Sequence, residues 1–197
     1  MADMSTQKTL NEKLSGRNIF LIGMMGSGKS QTGPDLAKML DYAFVDIDDV
    51  IEKVSKQSIA DIFEKDGEKG FRDLEKQVLK EIIQHHSLVI ATGGGLVTVP
   101  ENWGILHQGI VVWLDLDLKR SIKRIQSDGK KRPLLDNDDL SKTFSEIYER
   151  RKPIYSESDL RIQVEDQSPY EVAAMISENL LTILNAPETQ GELHTTE

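Results

Sequence analysis

The sequence predicts an α/β fold with a mainly parallel sheet covered by helices on both faces. Short apolar runs of strand length alternate with longer stretches of helical periodicity along most of the chain. Those runs suit strands buried on both faces. A glycine-rich loop lies directly between the first run and the first long helix, and in sheets of this kind ligands bind at the carboxyl ends of the strands.

The elements follow in order. Residues 1–16 are polar and predict a loosely ordered, flexible segment. Residues 18–22 predict a buried strand, followed by the glycine loop and a helix reaching about Leu40. Residues 43–45 predict a second strand, and 58–64 and 70–84 two helices. Residues 88–91 predict a strand that runs into three glycines. Residues 110–114 predict a fourth strand, 118–126 and 140–151 helices, 160–164 a last strand and 169–184 a last helix. Residues 185–197 predict a solvated tail. The reading is therefore one domain over 17–184, with a lid at about 126–140.

The bulk composition narrows the function. A chain of 197 residues suits one domain with a sizeable core. A net charge of −9 argues against a nucleic-acid binder, which needs a basic face. Cysteine is absent, so neither a disulfide framework nor a thiolate metal site can form. No apolar run approaches the ~18–20 residues of a membrane span, and the N-terminus lacks a signal-peptide core. The simplest expectation is a soluble cytoplasmic protein with no membrane partner. His85, His86 and His107 sit at no recognisable metal spacing and read as surface residues. Trp103 and Trp113 read as packing residues.

The loop Gly23-Met24-Met25-Gly26-Ser27-Gly28-Lys29-Ser30 fits the pattern G-x-x-x-x-G-K-[ST] in its required place between strand and helix. Glycines let successive N–H groups turn inward on an anion, and the helix N-terminus adds its dipole. Lys29 would reach the β- and γ-phosphates and Ser30 would bind Mg²⁺. The motif implies a nucleoside triphosphate without choosing between kinase, GTPase and motor. Pro34 falls in the following helix and removes the N–H that would bond to the Ser30 carbonyl. A local bend or widened first turn is expected, with Lys29 and Ser30 still in place.

Other residues point to an acceptor. Asp46 and Asp48, two apart at a strand's end, fall on one side of an extended chain; one could hold Mg²⁺ through water and the other accept from a substrate hydroxyl. An acidic loop capping the next helix is the competing reading. No hydrophobic run ending in aspartate has the usual Walker B form, so Asp46 takes that role if any residue does. In "GFRDLEKQVLKEIIQ", Glu75 lies within the apolar stripe and Arg72 at its edge. A buried charged pair is costly unless paired or used, which leaves either a structural ion pair or an arginine held by Glu75 and aimed at an anionic substrate. Gly93, Gly94 and Gly95 remove every side chain at a strand's end, so backbone N–H groups can approach a ligand; a flexible turn is the alternative. "SDGKKRPLLDNDD" reads as a lid carrying Arg132, or as a solvated charge cluster. Arg151, at a helix end, could simply complement the helix dipole.

Together the phosphate loop, "DID" at 46–48, "FRDLE" at 71–75, "GGG" at 93–95, "RPLL" at 132–135 and "RRKPIY" at 150–155 resemble the shikimate kinases. The resemblance spans roughly residues 18–184. It implies a three-layer α/β/α P-loop kinase of the nucleoside-monophosphate-kinase type with a five-stranded parallel sheet. It implies ATP-dependent phosphorylation of the shikimate 3-hydroxyl, with Mg²⁺, in a cytoplasmic monomer of aromatic amino acid biosynthesis. Within that resemblance Lys29, Asp48 and Arg132 are catalytic. Gly26, Ser27, Gly28, Lys29, Ser30, Gln31, Arg124 and Arg132 bind ATP, with Arg124 stacking on adenine. Asp48, Arg72, Gly93, Gly94, Gly95 and Arg151 bind shikimate, and Glu75 orients Arg72. Ser30 and, through water, Asp46 hold the metal. Gln31 replaces the threonine common after the loop serine, and Pro34-Asp35 stand where a basic residue is common. Two alternatives compete: another small-metabolite kinase of the same fold, such as a gluconate kinase, and a non-catalytic regulatory homologue.

Overall fold

The computed structural model describes residues 4–128 and 140–185. Five strands, β1 (Ile19–Ile22), β2 (Ala43–Asp46), β3 (Leu88–Ala91), β4 (Ile110–Leu116) and β5 (Leu160–Val164), form one parallel sheet in the order β2-β3-β1-β4-β5. This is the predicted five-stranded sheet. β1, β3 and β4 are buried along their whole length, which explains an apolar composition broken only by Asp115 in β4.

Alternation along β1 sorts the core into two layers. Ile19 and Leu21 face one side, with α1 (Met4–Leu14), α2 (Lys29–Leu40) and α8 (Pro169–Asn185). Phe20 and Ile22 face the other, with α3 (Ile47–Ser55), α4 (Ile59–Ile82), α5 (Pro100–Leu106), α6 (Leu118–Asp128) and α7 (Leu140–Tyr155). The result is three layers with the carboxyl ends of the strands at one rim.

Several elements differ from the sequence reading, which contains neither α3 nor α5. The N-terminal segment, expected to be loose, forms α1, whose Leu10 and Leu14 are buried against α2 and α8. Burying two leucines stabilises by about 1.5–3 kcal/mol each, enough to hold a short helix with weak intrinsic support. The helices expected at 58–64 and 70–84 are one element, α4, turned at Gly67, whose φ of 70° and ψ of −177° only glycine adopts cheaply. α7 runs past Arg151 through Pro153 to Tyr155. It thereby places those two residues four apart, on one face.

α2 continues through the exposed Pro34. The N–H groups of Gln31 and Thr32 both bond to the Gly28 carbonyl, at 3.1 and 2.8 Å, so the turn that carries Lys29 and Ser30 is closed, as expected.

Candidate active site

The phosphate loop curls between β1 and α2 with Gly26 at φ 81° and Gly28 at φ 96°, conformations that side chains disfavour. Ser27 and Lys29 are buried, and Ser30 and Gln31 open α2 at an exposed edge. Lys29 Nζ donates to the carbonyls of Gly23 and Met24, at 2.8 and 3.0 Å, and reaches Ser27 Oγ at 3.4 Å. The ammonium thus spans the loop from within and holds its shape. Arg124, on α6, lies against the same loop, with Nη1 3.5 Å from the Gly26 carbonyl and Nη2 donating to the Glu165 carbonyl at 3.0 Å.

Asp46 ends β2 and caps α3, its Oδ1 accepting the Asp48 N–H at 3.0 Å. Asp48 therefore lies in the first helical turn, and the extended-chain spacing expected for the pair does not hold. A capping carboxylate favours ending the strand there, because it satisfies an orphan N–H. The two carboxylates still interact. Burial, then Asp46 and Glu75, push the Asp48 carboxyl up to about 6. Its Oδ1 is buried without a partner among the described residues.

Glu75 is 1% exposed, and its Oε2 accepts from Arg72 Nη1 at 2.7 Å. Burial raises its carboxyl pKa against the lowering effect of Arg72, and its Oε1 has no partner among the described residues. Arg72 makes a second ion pair with Glu68 at 3.2 Å. The sequence reading missed Glu68, although it stands four residues before Arg72, the spacing of helical charge pairs. On α7, Arg151 is buried and donates from Nη1 to the Gly94 carbonyl at 3.0 Å. Tyr155, also missed, donates to the same carbonyl at 2.6 Å.

The glycine run is where these parts meet. A Cβ on Gly93 would stand 2.5 Å from Glu75 Oε1 and 3.1 Å from Asp48 Oδ1. On Gly94 it would lie 3.5 Å from Arg151 Nη1, the Gly23 carbonyl and the Met25 nitrogen. On Gly95 it would collide with the Arg72 guanidinium. The run therefore packs directly on the carboxylates, both arginines and the phosphate loop. Three side chains here would fill the space these groups occupy.

β4 also ends a buried apolar run on an aspartate, Asp115. Arg161 binds its Oδ2 at 2.6 and 3.0 Å, and Tyr148 donates to Oδ1 at 3.3 Å, so this carboxylate is consumed in a structural pairing. Arg132 lies outside the described residues. Among the described residues no cluster of three or more His, Asp or Glu side chains forms a metal site, and His85, His86 and His107 are exposed, as expected.

Comparison with known proteins agrees with this geometry. The family model described as shikimate kinase matches residues 25–181. A shikimate kinase of Prochlorococcus marinus strain NATL2A is 77% identical over 197 residues, covering 100% of both chains. One from strain MIT 9211 is 55% identical over 93% of each. Among solved structures, the Acinetobacter baumannii shikimate kinase in complex with shikimate aligns with a TM-score of 0.83 at 35% identity, over 88% of this chain and 97% of its own. The Aquifex aeolicus enzyme aligns at 0.72 and 37% identity, over 84% and 96%.

Proposed function

The chain belongs to the shikimate kinase family, and it transfers the γ-phosphoryl group of ATP to the 3-hydroxyl of shikimate; we propose that the pocket around Gly93–Gly95 does this with the following division of labour. The observation that carries the proposal is the convergence on those three glycines of the phosphate loop, Asp48, the Arg72–Glu75 pair and Arg151.

The loop N–H groups of Gly26, Ser27 and Gly28 receive the phosphates. Lys29 turns from the loop carbonyls toward the β- and γ-phosphates, and Gln31 extends the same edge. Arg124, already beside the loop, lies against adenine. Arg132, outside the described residues, is assigned the stabilisation of charge as the phosphoryl group transfers. Arg72 and Arg151 grip the shikimate carboxylate. Glu75 fixes the Arg72 fork, so a planar bidentate donor faces the ligand without rearrangement. Gly93, Gly94 and Gly95 form the wall behind the ring. Asp48 accepts the proton of the attacking hydroxyl; its unpartnered oxygen and its raised pKa suit a base that must be ionised near neutrality.

The donors present fit Mg²⁺. Ser30 offers a hydroxyl and Asp46 a carboxylate, the hard oxygen ligands this ion takes, with its remaining positions left to phosphate and water. Asp46 pairs with Ala91 on β3, which neighbours β1. Two strand spacings, roughly 9–10 Å, separate Asp46 from the strand that leads into the loop, and Asp46 would hold the ion through water. When bound, the ion would neutralise charge on the β- and γ-phosphates. The enzyme is assigned as a cytoplasmic monomer. Among the described residues no helix is long and apolar enough to cross a membrane.

A coupled ADP-release assay across hydroxy-acid acceptors, with and without Mg²⁺, tests the reading. Turnover with shikimate and little with gluconate is expected. Equal turnover with gluconate, or none with shikimate, would refute it.

A further inference from the structure

The carbonyls of the glycine run are all occupied. Gly93 O accepts from the Leu96 N–H at 3.1 Å, and Gly95 O from Thr98 N–H and Oγ1 at 3.0 and 2.7 Å. Gly94 O accepts from Tyr155 Oη at 2.6 Å and Arg151 Nη1 at 3.0 Å. The N–H groups of Gly94 and Gly95 have no protein partner among the described residues. In a trans peptide the carbonyl and the next N–H point in opposite directions. Holding Gly94 O therefore aims the Gly95 N–H, as holding Gly93 O aims that of Gly94.

Arg151 spends one of its five N–H donors on Gly94 O and keeps the others for a carboxylate, so any shift of the fork toward a ligand loads that bond. The Tyr155 hydroxyl also meets the Arg151 guanidinium, but it grips no ligand itself. Tyr155 is fully buried, and its ring stacks on Trp113 at 5.7 Å between centroids with planes 27° apart. The hydroxyl has one proton; Met24 Sδ lies 3.7 Å away, so the shorter contact to Gly94 O receives it. Burial pushes the phenol up to about 12, so it remains a donor throughout the working range.

We propose that Tyr155 is a positioning residue for the acceptor: its hydroxyl holds the Gly94 carbonyl and keeps the glycine-run N–H groups aimed into the acceptor pocket while Arg151 engages the substrate. This rests on the assignment of that pocket to shikimate.

The test is Tyr155→Phe in the full chain, which keeps the stacked ring and removes only the hydroxyl. The Michaelis constant for shikimate should rise about three- to tenfold, the range of one lost hydrogen bond. That for ATP should stay within twofold, kcat should change less than the shikimate constant, and the melting temperature should move by only a few degrees. Placing 4-aminophenylalanine at position 155 restores a donor and should return the shikimate constant to within twofold of the parent. An unchanged shikimate constant overturns the proposal. So does a failed rescue, or a joint rise for both substrates with a large loss of melting temperature, which would make the hydroxyl a stability element. Arg151→Ala run in parallel separates the two levels. If it leaves shikimate binding intact, the pocket assignment is at fault. If it weakens binding while Tyr155→Phe does not, the Tyr155 inference alone falls.

Discussion

Replacing Arg72 by alanine strands Glu75. That carboxyl is 1% exposed, its Oε2 depends on Arg72 at 2.7 Å, and its Oε1 already lacks a partner. Breaking one side of a buried pair typically costs about 3–5 kcal/mol. The carboxyl can escape by taking a proton, and this caps the charge penalty. From the ordinary glutamate value of 4.5, protonation near pH 7.5 costs three units at about 1.36 kcal/mol each, or ~4 kcal/mol. Near pH 5.5 the same step costs only ~1.4 kcal/mol. Burial already raises the folded pKa, and removing Arg72 deletes the two largest lowering influences. A carboxyl whose folded pKa is raised contributes a deficit that is full at high pH and vanishes as acid protonates both states. Urea denaturation should therefore show Arg72→Ala less stable by about 3–4 kcal/mol near pH 7.5 and by about 1–2 near pH 5.5. Adding Glu75→Gln should recover most of the loss at the higher pH and flatten the dependence. A deficit below ~1 kcal/mol near pH 7.5, or one equal at both values, would refute the buried-pair argument.

Asp48→Asn should lower turnover by about 10²–10⁴ and abolish an acid limb in kcat/KM for shikimate with a midpoint near the raised value of about 6. Because that carboxyl is harder to ionise folded than unfolded, the ligand-free variant should also gain up to ~3 kcal/mol near pH 7.5 and nothing below about pH 4. A less stable variant, or a retained limb, counts against Asp48. Gly95→Ala places a methyl on the Arg72 guanidinium; steady-state kinetics should show the shikimate constant rising far more than that for ATP, and equal effects would contradict the packing. Leu14→Ala, at a fully buried position of α1, should cost about 3–5 kcal/mol in denaturant while kcat stays within twofold; a loss under ~1 kcal/mol would show that α1 does not brace the fold.

The strands were legible because burial on both faces leaves an unmistakable apolar run, and the β3 bounds match the sequence reading residue for residue. The phosphate loop was legible because its glycines and lysine are contiguous. Arg72 and Glu75 were legible as charges in an apolar stripe. α3 was not, since "DIDDVIEKVS" looks like an acidic loop until Asp46 is seen capping it. α4 looked like two helices because two glycines interrupt its pattern, and only one of them, Gly67, turns the chain. Tyr155 lay in a quoted motif, yet its contact with Gly94 spans 61 residues of sequence and leaves no periodic trace.

The glycine run also decides how mutations at this site will combine. Changes at positions more than about 7–10 Å apart add in free energy, whereas those sharing a partner do not. Asp48 and Glu75 both abut Gly93, Arg151 abuts Gly94 and Arg72 abuts Gly95, and Tyr155 shares a carbonyl with Arg151. Their substitutions will be strongly epistatic, and the effect of any one will depend on which neighbours are already changed. Directed evolution toward another acceptor would then advance by paired or triple replacements around residues 93–95, with most single steps lost.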